Sequence, residues 1–257
     1  MRMNKFRMTA LAAAVVPAIL MSHSVSADEA DQPDPADLTR PQTFIWVQGG
    51  GSETKADGKT RTGIGRISGG LSGQFSETSQ YLGLLEQEFD KKGTANTRGR
   101  LFTTFDTGNS LVSKMGFSID YIRHAKKKDT TTALGVIGKV ETPWEWVSIY
   151  PNIAAVETET KKGPKGDKVK SRGYQFTMFT SLYLNEKGMY SMIAPEYAKL
   201  KDVTIKKVEV SLGAPITEDA KTWWDVKLTY RKNEGKKKLA GIKSDGTELL
   251  FGVSHYF

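Results

Sequence analysis

The chain has 257 residues, 38% of them hydrophobic and 26% charged, with a mean hydropathy of −0.43 and no cysteine. This composition excludes a disordered chain, a disulfide scaffold and a thiolate metal site. Beyond the N-terminus no apolar run reaches the roughly 18 residues of a transmembrane helix. Lys and Arg number 37 against 29 Asp and Glu, a net charge of +8 whose meaning depends on where the excess lies.

Residues 1–27 carry Arg2, Lys5 and Arg7, then an apolar run from Met8 to Met21, then Val25-Ser26-Ala27. A positive start, an apolar stretch too short to span and a small-x-small site read as a secretory signal peptide rather than a buried helix. Cleavage after Ala27 removes three positive charges and takes the net charge from +8 to +5. Export fits the absence of Cys. Residues 28–42 open on an acidic, Pro-containing stretch without periodicity and read as a disordered lead-in.

From Thr43 onward, segments with period-2 alternation are separated by Gly, Asn, Asp and Lys clusters. In Leu111–Tyr121, the residues Leu111, Met115, Phe117, Ile119 and Tyr121 oppose Lys114, Gly116, Ser118 and Asp120. Trp224, Val226, Leu228 and Tyr230 likewise oppose Asp225, Lys227, Thr229 and Arg231. About twelve strands follow, at 43–49, 62–75, 80–90, 97–107, 111–122, 133–141, 144–157, 171–185, 188–198, 203–213, 222–232 and 247–257. Pro151 and Pro195 inside two of them predict a bulge or a break. The glycines of Gly63–Gly69 fall mid-strand, so they read as aids to curvature rather than a phosphate loop.

The links between strands alternate short and long at nine of eleven places. This is the pattern of an antiparallel up-and-down barrel with a short-turn rim and a long-loop rim, with both termini on the periplasmic side. All five Trp (Trp46, Trp144, Trp146, Trp223, Trp224) fall near the short-turn ends, and Tyr121, Tyr174, Tyr197 and Tyr230 near the other, as two aromatic girdles require. The single domain 43–257 is therefore expected to be a transmembrane β-barrel.

The last ten residues, Glu248 to Phe257, end in Phe with Val253, Phe251 and Leu249 alternating behind it. This resembles the terminal strand of Gram-negative outer-membrane β-barrel proteins, with His255 where an aromatic is usual. The resemblance implies an outer-membrane location, contact with its lipid, and recognition of Phe257, Val253 and Phe251 by the barrel-assembly machinery. A secreted β-sandwich would alternate similarly without needing the girdles or the terminal Phe.

With the apolar face toward lipid, the other face lines the lumen. By parity Arg66, Glu86, Glu88, Arg98, Arg100, Asp106, Lys114, Asp120, Asp225, Lys227 and Arg231 point inward, six basic and five acidic. Twelve strands enclose more space than side chains fill and less than a general porin, so a porin-like narrow channel for passive diffusion of small hydrophilic solutes, anions among them, is the leading expectation. The loops collect basic residues at Lys126, Lys127 and Lys128, at Lys161 and Lys162, and at Lys236, Lys237 and Lys238. With no interleaved aromatics these suggest lipopolysaccharide phosphates or incoming anions rather than nucleic acid. A non-conducting structural or adhesion barrel acting through these loops is one alternative. A lipid hydrolase is the other, with His124 as its candidate base, but no G-x-S-x-G, H-E-x-x-H or paired-His spacing supports an enzyme. No metal or organic cofactor is implied.

Overall fold

The computed structural model describes residues 32–55, 59–91, 93, 95–125, 129–162, 167–236, 239 and 243–257. The signal-peptide reading of 1–27 lies outside them. Twelve strands are present: β1 (Phe44–Lys55), β2 (Lys59–Ser76), β3 (Ser79–Asp90), β4 (Ala95–Asp106), β5 (Val112–His124), β6 (Asp129–Val140), β7 (Val147–Lys162), β8 (Asp167–Tyr183), β9 (Tyr190–Leu200), β10 (Val203–Pro215), β11 (Thr222–Gly235) and β12 (Lys243–Tyr256). Each pairs antiparallel with its sequence neighbours, and β1 pairs with β12 from Phe44↔Tyr256 to Lys55↔Asp245. The sheet is a closed barrel, which leaves no unpaired edge.

Alternation sorts the side chains into two solvents. Val47, Leu101, Phe117, Ile119, Leu134, Ile153, Phe176, Leu228 and Phe251 all point outward and are 40% to 62% exposed. Such a continuous apolar wall is intolerable in water and suits lipid. From Leu182 to Tyr174 on β8, eight steps of about 3.3 Å along a strand tilted by about 40° give an apolar band about 20 Å high.

The start of β1 and the end of β12 sit at one rim, called here the terminal rim. Consecutive strands are separated by only two to seven residues at either rim. The long loops expected at the far rim are mostly strand: β1 runs to Lys55, β7 to Lys162, and β8 starts at Asp167. Continuing the ladder satisfies backbone groups beyond the apolar band. There both faces are polar, so hydrophobic alternation could not reveal it.

The prolines cause neither bulge nor break. The β6–β7 ladder lapses between Ile137↔Asn152 and Val140↔Ile149, and the β8–β9 ladder between Thr177↔Glu196 and Thr180↔Ile193, each without a change of register. On their other sides Pro151 pairs with Met178 and Pro195 with Val208. Each proline withholds its missing N–H from one neighbour only.

The lead-in is not disordered where it is described. Asp34 to Gln42 folds back into the terminal end of the barrel through two tight turns, Asp37 N–H to Asp34 O and Arg40 N–H to Asp37 O, both 3.2 Å. Ala36 is fully buried against the inward-facing Tyr190, Ala220 and Trp223, and Leu38 packs on Phe102, Ile137 and Tyr150. An acidic, Pro-rich composition carries no sign of this, because the partners are lumen side chains supplied by six different strands or links.

Candidate functional site

The lumen is crossed at mid-height by a belt of paired charges. On β2, Arg66 holds Glu88 at 2.6 Å, Glu248 of β12 at 3.1 Å and Glu86 at 3.8 Å, while Ser68 donates to Glu86. On β4, Arg98 and Arg100 share Asp120 of β5, at 2.9 Å and 2.7 Å. On the far wall Lys207 pairs with Glu196 at 2.8 Å and Lys227 with Glu209 at 3.7 Å. Arg98 on β4 and Glu209 on β10 stand six strands apart, on diametrically opposite walls, yet they interact electrostatically, as Arg66 and Glu209 also do. The belt therefore lines the lumen with charges whose fields reach from one wall to the other.

A second polar cluster adjoins the belt. Asp225 accepts hydrogen bonds from Trp46 Nε1 at 2.7 Å and Gln48 Nε2 at 3.0 Å, and Lys227 Nζ lies 4.5 Å from the Trp46 ring centroid. Room for that carboxylate depends on Gly252. A Cβ there would stand 2.2 Å from Asp225 Oδ1 and 2.6 Å from Trp46 Nε1.

Toward the terminal rim the folded-back segment is latched to the wall. Lys139 Nζ of β6 bonds Asp37 at 2.7 Å, Tyr183 OH donates to Asp34 at 2.8 Å, and Ser181 Oγ donates to Ala36 O at 2.8 Å. Asp37 also accepts from Thr39 N–H and Oγ, which closes the turn. Burial alone would push the Asp37 carboxyl up, but the hydrogen bond and charge of Lys139, with Thr39, hold it below the ordinary aspartate value.

The register places all eleven sequence-predicted lumen residues on the inner face. Eight of them (Arg66, Glu86, Glu88, Arg98, Arg100, Asp120, Asp225 and Lys227) meet in the belt and its adjoining cluster. Asp106 and Lys114 lie apart at the terminal rim, 3.7 Å from each other, and Arg231 stands at the edge of the belt, directly opposite Lys207. Sequence reading missed Glu196, Lys207, Glu209 and Glu248, although parity within their strands would have placed them. It also missed Lys139, Asp34 and Asp37, for which no local signal exists.

Two of the five tryptophans do not belong to a girdle. Trp46 faces the lumen cluster, and Trp223 is buried beside Ala36 with its Nε1–H on Ala220 O. Trp144 and Trp146 are exposed, and Trp224 pairs with outward-facing Val253. Tyr121, Tyr174, Tyr197 and Tyr230 all face out, as expected. Of the basic patch, Lys126–Lys128, Lys237 and Lys238 fall outside the described residues. Lys161 and Lys162 belong to strand β7 rather than a loop, and Lys236 follows β11. Phe251, Val253 and Phe257 are exposed on the outer face, and the Phe257 N–H caps the barrel seam by bonding Thr43 O. His124 pairs in register with Asp129 on the inner face.

No family model matches the sequence, and no curated protein sequence matches it either. Solved structures do match. An outer membrane channel from Pseudomonas putida F1 superposes with a TM-score of 0.64 at 10% identity, over 88% of this chain and 100% of the other. The fold is that of outer-membrane β-barrel channels. A KdgM porin in complex with disordered oligogalacturonate matches with a TM-score of 0.52 at 11% identity, over 82% of this chain and 99% of that one. The CymD monoaromatic hydrocarbon channel gives 0.52 at 8% identity, over 87% and 91%. An acidic sugar and a hydrocarbon are thus named on barrels of one architecture, so cargo must be argued from the lumen's own side chains.

Proposed function

We propose that this chain is an outer-membrane channel for passive diffusion of small hydrophilic solutes, without enzymatic activity, narrowed by its charge belt and gated at the terminal rim by residues 32–42. The observation that carries the reading is the inner wall itself, where a belt of paired charges rings a polar lumen while the outer wall is apolar. A wet, charged constriction sets a size cutoff by its width and a preference by its field. With Arg231, which stands opposite Lys207, the belt and its adjoining cluster hold six cations (Arg66, Arg98, Arg100, Lys207, Lys227, Arg231) against seven carboxylates (Glu86, Glu88, Asp120, Glu196, Glu209, Asp225, Glu248). That balance supports neutral solutes with weak cation preference over the anion preference that the overall basic charge suggests.

The latched segment favours a second reading, a closed barrel that serves as a structural or adhesion element. Single-channel recording of the refolded chain in planar bilayers under a salt gradient separates the two. Discrete steps with a small, cation-side reversal potential are expected, moving further to the cation side in Arg66→Met, which strips Glu86, Glu88 and Glu248 of their shared partner. Inserted protein that stays silent even when residues 32–42 are deleted would overturn the channel reading. A strong anion-side reversal potential would restore the acidic-solute alternative.

A further inference from the structure

The outer wall treats its cations in two ways. Beyond the apolar band on β1–β2 and β7–β8 most cations are paired: Arg61 with Glu53 at 2.8 Å, Arg172 with Glu157, and Lys168 and Lys170 with a shared Glu159, while Lys55 at the end of β1 has no ion pair among the described residues. On β9–β11 this provision fails. Lys199 and Lys206 are exposed on the same outward face, and neither forms an ion pair among the described residues. Lys206 lies directly opposite Lys232 on the neighbouring strand, a like-charge cross-strand pair that costs stability unless an anion bridges it. The nearby acids serve Lys232: Glu234 feels Lys206 but is bonded to Lys232 at 2.9 Å, and Asp245 stands opposite Lys232 on β12.

Immediately below these lysines, toward the membrane, is a groove of about 320 Å³ in the outer wall. Phe176, Met178, Pro195 and Val208 line it, and Tyr197 and Tyr230 flank it, with Lys206 at its upper end. It lies where the β8–β9 ladder lapses at Pro195. Lys199 pairs in register with Tyr174 and Lys206 with Tyr197, so the cations sit at the tyrosine level, the height of headgroups in a membrane interface.

We propose that Lys199, Lys206 and the groove beneath them form a binding site for a phosphorylated glycolipid of the outer leaflet. The lysines receive a phosphate and the groove receives an acyl chain. Charge complementarity selects an anion, and an apolar groove continuous with the lipid face selects one that carries a hydrocarbon chain. The site rests on the far rim facing outward and is independent of whether the lumen conducts. It also differs from the Lys-rich links singled out by the sequence, since both lysines stand on strands.

Binding of purified diphosphoryl lipid A to the refolded full chain in detergent, read by native mass spectrometry, tests it. Lys199→Gln/Lys206→Gln should weaken binding about tenfold, since basic residues each contribute modestly at an anionic interface. Lys168→Gln/Lys170→Gln, which removes two cations already paired on the same rim, should change it less than twofold. Lipid A stripped of its phosphates should bind the wild type as weakly as diphosphoryl lipid A binds the Lys199/Lys206 variant. Retained heat-modifiable migration of both variants in gels reports that they fold. Equal loss in the two variants would reveal diffuse attraction and overturn the site, as would unchanged binding in the first. Displacement of the lipid by millimolar inorganic phosphate would show that the acyl chain plays no part and would overturn it too.

Discussion

The latch between Lys139 and Asp37 permits a quantitative test of the gate. Their side chains are 21% and 10% exposed, so the pair is largely desolvated. Removing one partner of a buried pair leaves the other charge uncompensated and costs about 3 kcal/mol, taking the low end because neither group is fully buried. In Lys139→Met that cost falls on the latched state alone, because a released Asp37 meets water. At 1.4 kcal/mol per decade the released population should rise about 100-fold. The chain has no cysteine, so Ala36→Cys introduces a unique thiol at a position that is fully buried when latched. Its labelling rate by a maleimide then tracks the released population, provided closing is faster than labelling. Lys139→Met should accelerate labelling about 100-fold. Adding Asp37→Asn should return it to within tenfold of the parent, since removing both charges leaves nothing uncompensated. An acceleration below threefold, or a double variant as fast as Lys139→Met, would refute the latch.

Three further outcomes follow from the same geometry. The Asp37 carboxyl is held below its ordinary value, so its contribution to the latch is complete above the unfolded-state value of 3.8 and is lost as pH falls through the lower folded value; open probability should rise in that acid range, and Asp37→Asn should lack this rise. Gly252→Ala should destabilise the barrel by about 2 kcal/mol in urea unfolding from vesicles, through overpacking at Asp225 and Trp46; a neutral or stabilising result, as Gly→Ala gives where space is free, would mean the carboxylate is not clamped. Leu228, which faces lipid between Val210 and Leu249, should cost about 2–4 kcal/mol on replacement by Arg, measured the same way; a change below 1 kcal/mol would place that face outside the membrane core.

The sequence alone determined the barrel. Alternation with period 2 reports which face each residue occupies, because the strand repeat is fixed by backbone geometry. Lipid on one side and water on the other write that repeat in large apolar and polar letters. Twelve strands, their antiparallel order and the inward direction of Arg66, Arg98, Asp120 and Lys227 were therefore legible from spacing. Strand ends were not, since beyond the apolar band both faces are polar and the ladder runs on unseen to Lys55 and Lys162. Trp46 and Trp223 were placed in a girdle because rank along the chain gives height but was read without parity. The reach of the Arg98 charge to Glu209 on the opposite wall, the clamp on Asp225 made possible by Gly252, and the folding of residues 32–42 into the lumen required the closed tertiary structure. Each joins residues far apart in sequence, and closure of a ring brings such residues together without leaving any trace in local composition.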